Sequence, residues 1–242
     1  MGLHKSVREC NFDGVRDAIQ AGVPVNQLDD HGFTPLAYAV SNKDVALDIL
    51  KILVESGADV NVAVTNYQRY PLQLAASSGS TPKVQVLLDG GANILYESEG
   101  GYTIIVDTVY GLYNSDDLVP MIEFLHRNNA SIDAETEHGE SPLSVASCFG
   151  RFDAVKCLLD LGADETPLNW TELMMTLVWG TVAKFESALD QTCLINHQDR
   201  FERTAFHLCA FGPYLEKAKL LHNLGVDISG GSGWRYCHND LC

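Results

Sequence analysis

Basic residues are scarce in this chain of 242 residues: 16 Lys and Arg stand against 32 Asp and Glu, a formal charge of −16. Such a chain repels phosphate backbones and anionic membrane surfaces, which argues against nucleic acid and lipid headgroups as partners and for a basic protein. No run of 18 apolar residues is present, so no membrane-spanning helix is expected. The opening Met1-Gly2-Leu3-His4-Lys5-Ser6 lacks the apolar core of a secretory signal. Gly2 and Ser6 do match the start of a myristoylation pattern, which is short enough to arise by chance. Seven Cys, at 10, 148, 157, 193, 209, 237 and 242, are odd in number and lack the spacing of a disulfide framework. Several fall in apolar helical slots, as thiols do in a reducing compartment. The expectation is a soluble, cytoplasmic protein that is monomeric when free.

Catalytic patterns are equally sparse. Neither a Gly-rich phosphate cradle nor an HExxH spacing occurs. His126 with Asp116 and Asp117 could be imagined as an acid–base set, but no nucleophile accompanies them. Acids there are explained more simply by a helix start. Cys237-His238-Asn239-Asp240-Leu241-Cys242 offers two thiols and an imidazole but no second ligand pair at zinc spacing. The chain therefore reads as having no catalytic residues, no metal and no cofactor, and as no enzyme.

What the chain does have is 46% hydrophobic residues, ample for a core, and an internal repeat. One phrase recurs as Thr34-Pro35-Leu36-Ala37-Tyr38-Ala39, Tyr70-Pro71-Leu72-Gln73-Leu74-Ala75 and Ser141-Pro142-Leu143-Ser144-Val145-Ala146, with weaker copies at Thr103, Thr171 and Thr204. These starts lie 36, 33, 38, 30 and 33 residues apart. A second phrase follows in Leu53-Val54-Glu55-Ser56-Gly57-Ala58-Asp59, Leu87-Leu88-Asp89-Gly90-Gly91-Ala92-Asn93, Leu158-Leu159-Asp160-Leu161-Gly162-Ala163-Asp164 and Leu221-His222-Asn223-Leu224-Gly225-Val226-Asp227. The distance from the Pro position to this Gly is 20 residues in three units, from 71 to 91, 142 to 162 and 205 to 225.

Two coupled phrases at that period resemble the ankyrin-repeat family, and the resemblance covers nearly the whole chain. Pro suits the first turn of a helix, Thr or Ser before it can cap that helix, and Gly permits the left-handed residue that ends the second helix. The expected fold is an all-α ankyrin-repeat solenoid of about seven helix-turn-helix units with finger loops. A capping repeat spans 3–28 and fuller units span about 29–62, 65–95, 98–133, 136–165, 166–196 and 199–228, with a stub at 229–242. Two units depart from the pattern. The one at Thr103 has Ile104 in place of Pro and about five extra residues around 111–117, expected to protrude as a loop. The one at Thr171 carries Met174, Met175 and Thr176 in place of small residues, and Pro167 in a shortened finger.

The resemblance implies a partner lying along a concave side built from the fingers and the first helices. In that register the partner-binding candidates are Asp30, His31, Phe33, Tyr67, Arg69, Glu99, Tyr102, Tyr110, Glu137, His138, Glu140, Phe149, Trp170, Trp179, Arg200, Phe201, Arg203 and Phe211. Less distinctive positions of the same register, such as Ser77, Gly111, Leu168 and Val178, complete a set of thirty. Nine of these thirty are aromatic, against 9% in the chain, and exposed aromatic clusters mark interaction surfaces. Asp29, Asp30, Glu97, Glu99, Glu135, Glu137 and Glu140 would rim the same surface. His207 stands where the family places a His that bonds a neighbouring loop backbone, so a structural role is expected of it.

The function expected from the resemblance is non-enzymatic binding of one protein partner, with a basic surface suggested by the charge. A toxin-neutralising immunity protein of bacterial type is one form of that expectation. A eukaryotic ankyrin adaptor or regulatory inhibitor is another, and an enzyme with a site at the irregular repeats is a remote third.

Overall fold

The computed structural model describes residues 2–42, 45–64, 69–191 and 194–226. The tail, with its Cys237–Cys242 cluster, lies outside the described residues, as does Tyr67. The chain divides into two units, residues 1–142 and 143–242.

The first unit holds four helix pairs: α1 (Leu3–Arg8) with α2 (Phe12–Gln20), α3 (Pro35–Ser41) with α4 (Leu47–Glu55), α5 (Pro71–Ser77) with α6 (Thr81–Asp89), and α7 (Ile104–Leu112) with α8 (Leu118–Arg127). First helices pack side by side, α1 on α3, α3 on α5 and α5 on α7, and behind them α2 packs on α4 and α4 on α6. The second unit takes in all but the first residue of α9 (Pro142–Cys148), then α10 (Phe152–Asp160). After them come α11 (Glu172–Trp179), α12 (Val182–Gln191), α13 (Ala205–Leu208) and α14 (Leu215–Asn223). In that unit α11 packs on α13 and α12 on α14. The described residues are thus helical apart from turns and one isolated bridge between Ser98 and Tyr102.

The repeated phrases act as their chemistry suggests. Thr34 Oγ1 accepts the Ala37 N–H at 3.1 Å and Thr171 Oγ1 accepts that of Met174 at 3.4 Å, each satisfying a donor that a helix start leaves free. Where the cap is weaker, the third helical residue reaches back: Gln73 Oε1 accepts the Tyr70 N–H and His207 Nδ1 that of Thr204. The bond of His207 is thus made to its own helix start, not to a neighbouring loop. Gly57, Gly91 and Gly162 close their helices at φ +87°, +86° and +96°, and Asn129, at φ +70°, takes that place after α8. Of each Leu pair the first member is in the core: Leu53, Leu87 and Leu158 are fully buried, Val54, Leu88 and Leu159 only partly.

Asparagine side chains tie successive repeats of the first unit through backbone alone. Asn26 donates to the Gly57 carbonyl at 3.0 Å and accepts the Asp59 N–H at 2.8 Å. Asn61 repeats the pattern one unit on, donating to Gly91 and accepting from Asn93. Buried lysines give a second kind of tie. Lys83 Nζ on α6 donates to the carbonyls of Ala39 and Asn42 at the end of α3. In the second unit, Lys217 on α14 donates to those of Thr176, Leu177 and Gly180 at the end of α11. An ammonium at a helix C-terminus meets both the orphan carbonyls and the negative end of the dipole.

The extra residues of the third fuller unit do not form a free loop. They lengthen α7 to nine residues, against seven in α3, α5 and α9, and bury Leu112. The turn beyond packs back on Gly79, where an added Cβ would lie 3.3 Å from Leu112 and 3.4 Å from Asp117. An apolar residue one turn beyond the usual helix end gives the insertion something to bury. The thiols are also not uniform: Cys10, Cys157 and Cys209 are in no disulfide, while Cys148 is disulfide-bonded, which departs from the expectation of thiols kept reduced.

Candidate functional surface

In four fingers a polar side chain five residues before the helix cap, Asp29, Ser98, Thr136 or Asp199, bonds the finger's own backbone. In the first, Asp29 Oδ1 accepts the N–H groups of His31 and Phe33 at 2.9 and 3.0 Å, and the Tyr38 hydroxyl donates to Oδ2 at 2.7 Å. That hydroxyl, with help from the two amides, holds the Asp29 carboxyl down to about 2. Asp30 and His31 are exposed at the tip. Phe33 is half-buried, edge-on to Tyr38 at 5.7 Å, and its carbonyl lies 3.0 Å from His4 Nε2.

The third and fourth fingers of the first unit frame a cleft of about 460 Å³ lined by Glu97, Ser98, Glu99, Gly100, Gly101, Glu135, Thr136 and Glu137. Its four carboxylates face no Lys or Arg within the lining. The fingers touch through backbone: Glu137 N–H donates to the Gly100 carbonyl at 2.9 Å. A Cβ on Gly101, at φ +77°, would stand 3.3 Å from Glu137 N, so this approach requires glycine. Glu99, Glu137 and His138 are exposed.

At the inner end of these fingers Tyr102 and Tyr110 lie 6.1 Å apart, and the Tyr110 hydroxyl donates to Glu140 Oε1 at 2.8 Å. On the same face of α7, Asp107 is 8% exposed and pairs with Arg69 at 3.5 Å. Arg69 also donates to Ser77 Oγ at 3.0 Å. Burial pushes the Asp107 carboxyl up to about 6, only partly offset by Arg69. One oxygen each of Asp107 and Glu140 is buried without a hydrogen-bond partner.

In the second unit the expected surface aromatics pack on one another. Trp170 lies 5.5 Å from Phe152 and 5.7 Å from Trp179, and Phe211 lies 5.8 Å from Phe152. Arg203, expected to face a partner, is 4% exposed. It pairs with Asp199, donates to the Ser147 carbonyl and hydroxyl at 2.8 Å, and lies over the rings of Phe201 and Phe211 at 4.9 and 5.5 Å. Phe149, Trp170, Trp179, Phe201 and Phe211 are each partly buried, whereas Arg200 is exposed.

Sequence reasoning missed Asp107, Asp199, Phe152 and Ser147. Asp199 was findable, since it stands five residues before Thr204 as Asp29 stands before Thr34. The imagined acid–base set is not assembled: Asp117 takes a bond from Ser115, and His126 lies nine residues along α8, about 13 Å away at 1.5 Å per residue. Burial pushes the Cys209 thiol up to about 11, leaving little thiolate at neutral pH. Among the described residues no helix is long and apolar enough to cross a membrane, and no group of three or more His, Cys, Asp or Glu is placed to hold a metal.

Comparison with known proteins agrees with this architecture. A family model described as ankyrin repeats (3 copies) matches residues 3–98, and a single ankyrin-repeat model matches 138–170. The BRCA1-associated RING domain protein 1 of Caenorhabditis elegans is 36% identical over 102 residues, 42% of this chain and 14% of that protein. The ankyrin repeat protein nuc-2 of Neurospora crassa is 29% identical over 174 residues, 71% of this chain and 16% of that protein. The B-cell lymphoma 3 protein homolog of mouse is 28% identical over 167 residues, 67% of this chain and 36% of that protein. The chain thus spans about a third or less of the length of these relatives. With its paired helices, capped first helices and glycine-ended second helices, this chain belongs to the ankyrin-repeat family, whose repeats form protein-interaction modules.

Proposed function

We propose that the chain binds a protein with a basic surface and that the first unit supplies the main contact. The observation that carries this reading is the cleft between the third and fourth fingers, with four glutamates and no basic residue in its lining. Exposed carboxylates held close together in one cleft raise the local negative potential, which speeds association with a cationic partner. Exposed Asp30, Glu99, Glu137 and His138 extend the rim. In the second unit Arg200 is the exposed candidate, while the aromatic rings have much of their surface taken by one another.

An adaptor or regulatory inhibitor of eukaryotic type has the better support among the finer readings, because the relatives named above are animal and fungal proteins. A toxin-neutralising role rests on the acidic charge alone. The deciding experiment is affinity capture from the source cells with wild type and a variant carrying Glu97→Gln, Glu99→Gln, Glu135→Gln and Glu137→Gln. A partner of basic surface retained by wild type and lost by the variant supports the reading. An acidic partner, or one retained equally by both, sinks it.

A further inference from the structure

Asp107 occupies a place that the other repeats fill differently. Counting four residues from the helix cap gives Leu74, Val145, Met175 and Leu208, all apolar, and Tyr38, whose hydroxyl binds Asp29. At the matching slot of α7 stands a carboxylate that is 8% exposed, with one oxygen lacking any hydrogen bond. A buried carboxylate so poorly compensated destabilises the fold, and Leu would serve packing better. The side chain therefore calls for an explanation outside folding.

We propose that the inner face of α7, centred on Asp107 with Tyr102, Tyr110 and Glu140 around it, receives one guanidinium or ammonium side chain of the partner. The inference rests on the reading above that the partner is basic. Four observations on the first unit support it. The buried unpartnered oxygens of Asp107 and Glu140 are acceptors awaiting a donor. The two tyrosine rings, 6.1 Å apart, offer faces that attract a cation. Tyr110, one turn along α7 from Asp107, is fixed by its bond to Glu140. The chain itself already sets a guanidinium against Asp107, but loosely: Arg69 stands at 3.5 Å, keeps its side chain 30% exposed and spends another donor on Ser77. A partner side chain that shifts Arg69 aside reaches a carboxylate whose charge is poorly met at present.

The arrangement couples binding to protons. The elements packed on α7 bring few charges near Asp107. The buried residues of α8 are Leu118, Met121, Ile122 and Leu125, and those of α5 are uncharged. Arg69 is then the charged neighbour that acts on Asp107, with Glu140 tied to Tyr110. A bound cation favours the ionised carboxylate, so affinity rises with pH through about 6 and levels off above it.

Calorimetric titration of the whole chain with an arginine–glycine repeat peptide, and with its citrulline counterpart, tests this from about pH 5 to about pH 8. Wild type is expected to bind the arginine peptide alone, with affinity dropping up to about tenfold per pH unit below the Asp107 midpoint. Asp107→Asn should bind about tenfold or more weakly at pH 7.5 and lose the pH dependence. Asp107→Leu should melt at a higher temperature than wild type and bind as poorly, which separates lost binding from lost folding. If both variants keep wild-type affinity and pH profile while the four-glutamine variant loses binding, the inference falls and the basic-partner reading stands. If wild type binds neither peptide, or both equally, the basic-partner reading falls and takes the inference with it.

Discussion

Arg203 and Asp199, four residues apart at the two ends of one finger, form an ion pair at 2.6 Å with side chains 4% and 0% exposed. Asp199 Oδ1 also accepts the N–H groups of Phe201 and Arg203, so one carboxylate folds the finger while the guanidinium fastens it to Ser147. Breaking a buried pair from one side leaves the other charge stranded. Arg203→Ala should therefore destabilise the second unit by about 3–5 kcal/mol, read as a lowered denaturation midpoint. A loss below about 1 kcal/mol would mean that the pair is solvated in solution.

Asp107 sets a pH dependence of the opposite kind to that of an ordinary salt-bridged carboxylate. Its folded-state value of about 6 lies above the usual 3.8, so the fold holds more protons than the unfolded chain between those two values. Stability from this group is therefore full below about pH 4, falls as pH rises toward 6 and stays low above. The difference is at most roughly 3 kcal/mol. Asp107→Leu should raise the melting temperature at pH 8 and remove this slope; thermal melts of both proteins across that range are the check.

Asn61 makes two bonds to the next repeat and touches only backbone there. Asn61→Ala should cost about 0.5–1.5 kcal/mol, since the Gly91 carbonyl and Asn93 amide are exposed and water takes over their lost partner. Amide exchange read by mass spectrometry should quicken around Gly91 to Asn93 before the rest of the first unit. Unchanged protection there would show that the bonds do not form.

Association with a basic partner should slow steeply as salt rises, with dissociation changing less, because exposed charges act mainly during encounter. Stopped-flow mixing at several ionic strengths measures both rates. An on-rate indifferent to salt would remove the role given to Glu97, Glu99, Glu135 and Glu137.

The helices were legible because each repeat states its boundaries in local chemistry. Thr34 and Thr171 cap, Pro35 and Pro71 start, and Gly57, Gly91 and Gly162 stop. The site was legible only in part. Register put Tyr102, Tyr110 and Glu140 on one face, but Asp107 stands out only when its slot is compared across repeats, and its burial against Arg69 is a contact between distant turns. Nor does local pattern show that Trp170 and Trp179 lie side by side or that Arg203 turns inward, since those are contacts between distant turns. The burial of Lys83 and Lys217 is illegible for the same reason: their carbonyl partners lie about forty residues away.

The asparagine rungs have a further consequence for how such a chain can grow. On the receiving side of each rung stand a carbonyl and an amide, groups that every non-proline residue owns, so no matching side chain has to be inherited with them. A duplicated or deleted repeat leaves its neighbours bonded as before, provided that the Asn and the turn after Gly are copied together. Leu95 stands where a third Asn would fall, four residues after Gly91, and lies 64% exposed. A gain of Asn at that one position would make the second fuller unit as interchangeable as the capping repeat and the first fuller unit before it.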